Sequence, residues 1–146
     1  MDLRLEHISH SYGDVEVLQD IELTIRSGEI VCIIGPSGCG KSTMLRLIGG
    51  LELPTAGRVL QVGEPPESSL NPLTYIFQDF ALLPWRTVEG NVSLALEDHG
   101  LGKARMAEIV DDVLSRTKLS DFKKALPRQL SGGMRQRVGI ARALSV

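Results

Sequence analysis

The stretch GEIVCIIGPSGCGKSTMLRLIGG, Gly28 to Gly50, constrains the fold more than any other part of the chain. Its first part, Ile30 to Ile34 (IVCII), is apolar at every position and rich in β-branched side chains. That composition predicts a strand covered on both faces, as in a parallel sheet. From Lys41 onward, Met44, Leu45, Leu47, Ile48 and Leu51 recur at helical spacing, and Gly49, Gly50 and Pro54 close the pattern. Strand, glycine loop and helix in that order predict an α/β domain.

The loop between them has a chemical reading. Gly35-Pro36-Ser37-Gly38-Cys39-Gly40-Lys41-Ser42 fits G-x-x-x-x-G-K-[ST], and Thr43 adds a second hydroxyl. Glycines let successive N–H groups converge on one anion without Cβ obstruction, and the following helix offers free N–H groups at its positive end. In this reading Lys41 reaches the β and γ phosphates, Ser42 coordinates Mg²⁺ and Thr43 bonds the α phosphate. The loop therefore predicts binding of a nucleoside triphosphate.

Around this unit, Leu3 to Ile8 and Val17 to Ile25, within VEVLQDIELTI, show rough apolar alternation and predict strands of a partly exposed antiparallel sheet. RVLQV (Arg58 to Val62) and LTYIF (Leu73 to Phe77) predict two more, separated by the turn-rich loop EPPESSLNP. Thr87 is placed to cap a helix with the stripe Val88, Val92, Ala95 and Leu96; another from Lys103 carries Met106, Ile109, Val110, Val113 and Leu114. A last helix places Met134, Val138, Ala141 and Leu144 on one stripe. Arg135, Arg137 and Arg142, with Lys123, Lys124 and Arg128, are expected on a solvated face opposite it.

The last helix opens on Leu130-Ser-Gly-Gly-Met-Arg-Gln-Arg137. Ser131, Gly132 and Gly133 at a positive helix end read either as a second anion site or as a plain helix start after a turn. One triphosphate reaches both glycine motifs only if they face each other, for example across a dimer.

Together the two motifs resemble the nucleotide-binding subunit of an ATP-binding cassette (ABC) transporter, along the whole chain. The resemblance identifies Gly35 to Thr43 as Walker A and LSGGMRQR as the signature motif, with Met134 where the commonest form has glutamine. Gln78 in YIFQDF matches the Q-loop glutamine, a candidate to position water and metal, and Tyr12 in HSYG matches the aromatic that stacks on adenine. Tyr12 as a turn aromatic and Gln78 as a polar strand-end residue remain the alternative readings. The resemblance implies a P-loop NTPase fold with an antiparallel β subdomain, an incomplete parallel-sheet core and a helical subdomain. Its expected boundaries are 1–78 for the β subdomain and Walker A core, 79–131 for the mainly helical part and 132–146 for the signature helix. The implied cofactors are ATP and Mg²⁺, with Ser42 and Gln78 at the metal. The implied partners are a second ATPase subunit, head to tail, whose ATP meets Ser131, Gly132 and Gly133, a membrane-spanning permease and, indirectly, an external solute-binding protein.

LLPWRTV narrows the resemblance to the nitrate, sulfonate and taurine importers. There Phe80, Leu82, Leu83 and Trp85 form either a contact surface for the permease or part of the core. The family's metal-binding aspartate and catalytic glutamate lie on a strand after the signature helix, where ARALSV stands last. A chain without them is expected to bind ATP weakly at most and not to hydrolyse it efficiently.

Composition agrees with this reading. Formal net charge of −2 argues against nucleic acid as a partner, and 42% hydrophobic residues suit a globular domain. Cys32 and Cys39 imply no disulfide framework, and MDLRLEHISH lacks the basic start and apolar stretch of a secretory signal. The expected location is the cytoplasm, peripheral on the inner face of the cell membrane.

Overall fold

A computed structural model describes residues 1–65 and 69–146. Part of the predicted loop EPPESSLNP lies outside the described residues. The chain divides into two compact units, Met1–Ser68 and Ser69–Val146.

In the first unit, strands β1 (Asp2–Tyr12), β2 (Val15–Ile25) and β3 (Ala56–Val62) form an antiparallel sheet of order β2-β1-β3. Leu3 pairs with Ile25 and Tyr12 with Val15, so the predicted Leu3–Ile8 strand continues to a tight turn at Gly13-Asp14. Register shifts between Leu5 and Ile8 change which parity of β1 faces inward. Leu3 and Leu5 are buried on one side of the shift, Ile8 and His10 on the other. A bulge of this kind re-aims side chains, and a further register shift between His10 and Ser11 separates buried His10 from exposed Tyr12 at the strand end.

Helix α1 (Lys41–Ile48) packs onto this sheet through Leu47, with Met44 and Ile48 beside it, against Leu3, Leu5, Ile8 and Leu18. That contact fixes the glycine loop, because the loop is the N-terminal extension of a helix anchored by its own apolar face.

The two predicted strands at Ile30–Ile34 and Leu73–Phe77 are absent: neither segment is a strand. Ile30 is 96% exposed and Ile34 86%, where the apolar run predicted burial on both faces. A strand is a property of a pair, and among the described residues neither run has a partner strand to satisfy its backbone or a layer to cover it.

The second unit is helical: α2 (Val88–Ser93), continued by a 3₁₀ turn over Leu94–His99, then α3 (Lys103–Arg116) and α4 (Gly132–Leu144). The predicted stripes become its core, with Val88, Val92, Leu96, Val110, Val113, Leu114, Val138 and Ala141 buried together with Leu119 and Leu130. The α4 stripe ends early, since Leu144 stands 48% exposed.

The arginines of α4 do not form the expected solvated face. Arg135 donates to the Leu130 carbonyl at 3.0 Å, Arg137 to that of Thr117 at 3.1 Å, and Arg142 to those of Phe80 and Ala81 at 2.7 and 2.8 Å. A guanidinium with five fixed donors satisfies loop carbonyls that have no helical partner, which the charge pattern alone does not reveal. Burial pulls the Arg142 pKa below the ordinary arginine value.

Candidate functional site

In the first unit, the segment from Gly35 to Cys39 turns back onto itself and delivers the chain to α1. Gly40 is the N-cap, with φ of 94° in the left-handed region. A Cβ built there would lie 2.8 Å from Leu18 Cδ2 and 3.0 Å from the Val17 carbonyl oxygen. Glycine is thus required twice, by its backbone conformation and by the approach of β2.

No side chain caps α1, so the amides of Lys41, Ser42 and Thr43 are free of intrahelical acceptors by helix geometry, whereas the Met44 amide already donates to Gly40 O at 2.8 Å. The same three residues belong to the lining of a cleft of about 320 Å³, with Tyr12, Val17, Ser37, Gly38 and Gly40. Seven of the residues singled out from sequence therefore share one wall, and Val17 joins them unforeseen. Thr43 is buried, while Ser42 is exposed to the cleft.

Lys41 Nζ donates to the carbonyls of Gly35 and Pro36 at 2.8 and 2.6 Å and lies 3.6 Å from Cys39 Sγ. Gly35, Pro36 and Cys39 thus act as the resting cradle of the ammonium, not as cleft wall. Two neutral carbonyls hold a cation less strongly than an anion does, so the ammonium is available for exchange onto a phosphate oxygen. Free amides at a positive helix end, an ammonium, two hydroxyls and a backbone without Cβ obstruction form a donor set that fits a polyphosphate with its Mg²⁺.

The second unit carries the other sequence-predicted residues. Ser131 caps α4, its hydroxyl accepting from the Met134 amide at 3.3 Å, with Gly132 and Gly133 exposed in the first turn. Gln78 lies exposed in a turn. Two residues on, Phe80 and Ala81 adopt φ of 59° and 43°, and the Arg142 contacts hold both carbonyls in that strained shape.

Asn91, fully buried, ties the next loop. Its Oδ1 accepts from the Leu83 amide at 2.7 Å and its Nδ2 donates to the carbonyls of Leu83, Arg86 and Thr87 at 3.0 to 3.1 Å. Sequence reasoning missed Asn91; a lone polar residue interrupting the apolar stripe of α2 was its only signal. Leu82 packs against the core while Trp85 stands 73% exposed, so the core role holds for Leu82 and not for Trp85.

Residues 18–146 match the family described as ABC transporter. The chain belongs to that family. It is 41% identical over 148 residues to the putrescine transport ATP-binding protein PotG of Escherichia coli K12, covering 98% of this chain and 39% of the relative. It is 43% identical over 143 residues to the taurine import ATP-binding protein TauB of Escherichia coli O157:H7, covering 98% and 56%. Among solved structures, a dimeric ATP-binding cassette, MJ0796, described as bound to ADP and Pi, superposes with a TM-score of 0.80 at 33% identity, over 98% of this chain and 69% of that one.

The chain thus spans roughly two-fifths to just over half of these curated relatives. The fold is α/β of the ABC ATPase type, with its antiparallel sheet and helical part formed. Among the described residues no helix is long and apolar enough to cross a membrane.

Proposed function

We propose that this chain is the ATP-binding part of an ABC importer subunit, and that Gly35 to Thr43 hold the triphosphate of Mg-ATP. The observation that carries this reading is the cleft lined by Tyr12, Ser37, Gly38, Gly40, Lys41, Ser42 and Thr43 at the uncapped start of α1, with Lys41 Nζ resting on the neighbouring carbonyls of Gly35 and Pro36. In the bound state Lys41 exchanges its two carbonyl partners for phosphate oxygens, and the helix amides bond the same group. Mg²⁺, when bound, would neutralise phosphate charge; Ser42 is the ligand this loop would offer, and the family resemblance implies Gln78 as another. Tyr12 stacks on the base.

The finer assignments follow from the resemblance. The subdomain limits are 1–78, 79–131 and 132–146; the partner ATPase presents its own ATP to Ser131, Gly132 and Gly133; and exposed Trp85 meets the permease, with the subunit peripheral on the inner face of the cell membrane. The taurine and putrescine relatives support importer membership, and the LLPWRTV string supports the nitrate, sulfonate and taurine group.

Titration with Mg-ATP tests the proposal. Wild-type chain should bind, and Lys41→Ala should weaken binding at least tenfold, since a charged hydrogen bond is worth about 1.5–3 kcal/mol. Equal affinity of the two proteins would overturn the reading.

A further inference from the structure

Resting on the nucleotide reading, we infer that Glu52 is a positioning residue for the base end of the cleft, holding the ring of Tyr12 where it meets adenine. Tyr12 stands last in β1, its side chain 45% exposed, with Gly13 and Asp14 turning the chain immediately after it. A ring so placed has torsional freedom to lose before it can stack, and freedom lost on binding subtracts from affinity.

Four contacts remove that freedom beforehand. The Tyr12 hydroxyl donates to Glu52 Oε2. The other carboxylate oxygen, Oε1, lies 3.5 Å from Arg46 Nη1, and His10 Nε2 approaches Oε2 at 3.7 Å. The buried His10 ring meets the Tyr12 ring edge to face at 4.7 Å and 84°. Among the described residues neither His10 nitrogen has a hydrogen-bond partner, so the imidazole serves as a wall and leaves the carboxylate to the tyrosine.

Glu52 is itself well placed to act as an anchor. The Gly49, Gly50 and Leu51 amides donate to Leu45, Leu47 and Arg46 carbonyls, so the chain leaves α1 through successive bonded turns. Three residues beyond Glu52, the Thr55 hydroxyl accepts from the Ser11 amide at 3.1 Å, fastening this segment to the end of β1. The glycine loop enters α1 at Lys41 and the anchor of Tyr12 leaves it near Glu52, so one short helix sets both the triphosphate end and the base end of the cleft. The hydroxyl bond fixes one edge of a ring that remains 45% exposed and lines the cleft.

The test compares Mg-ATP with inorganic tripolyphosphate, which lacks the base, by calorimetric titration of wild type, Glu52→Ala, Glu52→Gln and Tyr12→Phe, with urea midpoints to establish folding. Glu52→Ala and Tyr12→Phe should each weaken ATP about three- to tenfold, a part of a full base–aromatic stacking contribution, and leave tripolyphosphate unchanged. The double variant should be no weaker than either single one, and Glu52→Gln, which keeps an acceptor for the hydroxyl, should recover most of the affinity. Where Glu52→Ala fails to fold, Tyr12→Phe against Glu52→Gln carries the comparison. Equal losses for both ligands, no loss for ATP, or additive losses in the double variant would overturn the inference while leaving the phosphate site standing. A folded wild type that binds neither ligand would overturn the nucleotide reading and this inference together.

Discussion

Replacing Gly40 by alanine tests how the glycine loop is built, because two separable effects operate there. An L-residue forced into the left-handed region costs about 1–2 kcal/mol. The added methyl would also press on Leu18 Cδ2 at 2.8 Å, Val17 O at 3.0 Å and Val17 Cγ1 at 3.2 Å. Leu18 can rotate, but the Val17 carbonyl belongs to β2, whose neighbouring Leu18 is paired with His10 of β1, so relief requires the strand to move. Overpacking of this kind costs about 1–3 kcal/mol, which brings the total to about 2–5 kcal/mol.

Gly38 is the control. Its φ of 82° is also left-handed, but nothing lies within 4 Å of a Cβ built on it. Gly38→Ala should therefore pay the conformational part alone, about 1–2 kcal/mol. In urea unfolding, where small proteins lose about 1–3 kcal/mol per molar, the Gly40→Ala midpoint should fall below that of Gly38→Ala by on the order of 1 M. Coincident midpoints would refute the reasoning, for then the contact with β2 contributes nothing.

Asn91→Ala strands the part-buried Leu83 amide and three carbonyl partners, and should lower stability by about 2–4 kcal/mol in thermal unfolding, with a change in the emission of Trp85, the chain's one tryptophan. Ser131→Ala removes the cap of α4 and should cost about 1 kcal/mol by the same measurement. His7, bonded to Asp20 at 2.7 Å and 3.0 Å from Glu22, has its pKa raised above the ordinary value, first by the Asp20 bond and then by the Glu22 charge. The protonated form is thus favoured by folding, so its contribution is complete below about pH 6.5 and is lost as pH rises through the folded value. The stability advantage of wild type over His7→Gln should therefore be largest at pH 5 and vanish by pH 9; an advantage that grew with pH would reverse the assignment.

Much of the local structure was legible because its causes are local. Thr87 and Ser131 cap the helices predicted for them, since a side-chain oxygen and an amide two or three residues on need no distant partner. The start of α1 at Lys41 and the company of Ser37, Gly38, Gly40, Lys41, Ser42 and Thr43 followed from one motif of contiguous backbone. The apolar runs at Ile30–Ile34 and Leu73–Phe77 misled for the opposite reason, because an apolar run reports a wish for burial but does not supply the neighbouring strand. The arginines of α4 misled too, since charge periodicity does not say which loop carbonyls lack donors.

The sequence by itself determined the helix start after the glycine loop, the family and the stripes that became the helical core, because each is written in residues a few positions apart. Tertiary structure alone decided that Glu52 meets Tyr12 and that Arg142 holds Phe80 and Ala81. Those contacts depend on where a bulged strand, a packed helix and two turns bring backbone groups in space. Hydrogen bonds and packing act over a few ångströms, so pairings forty or sixty residues apart exist only once the chain has folded.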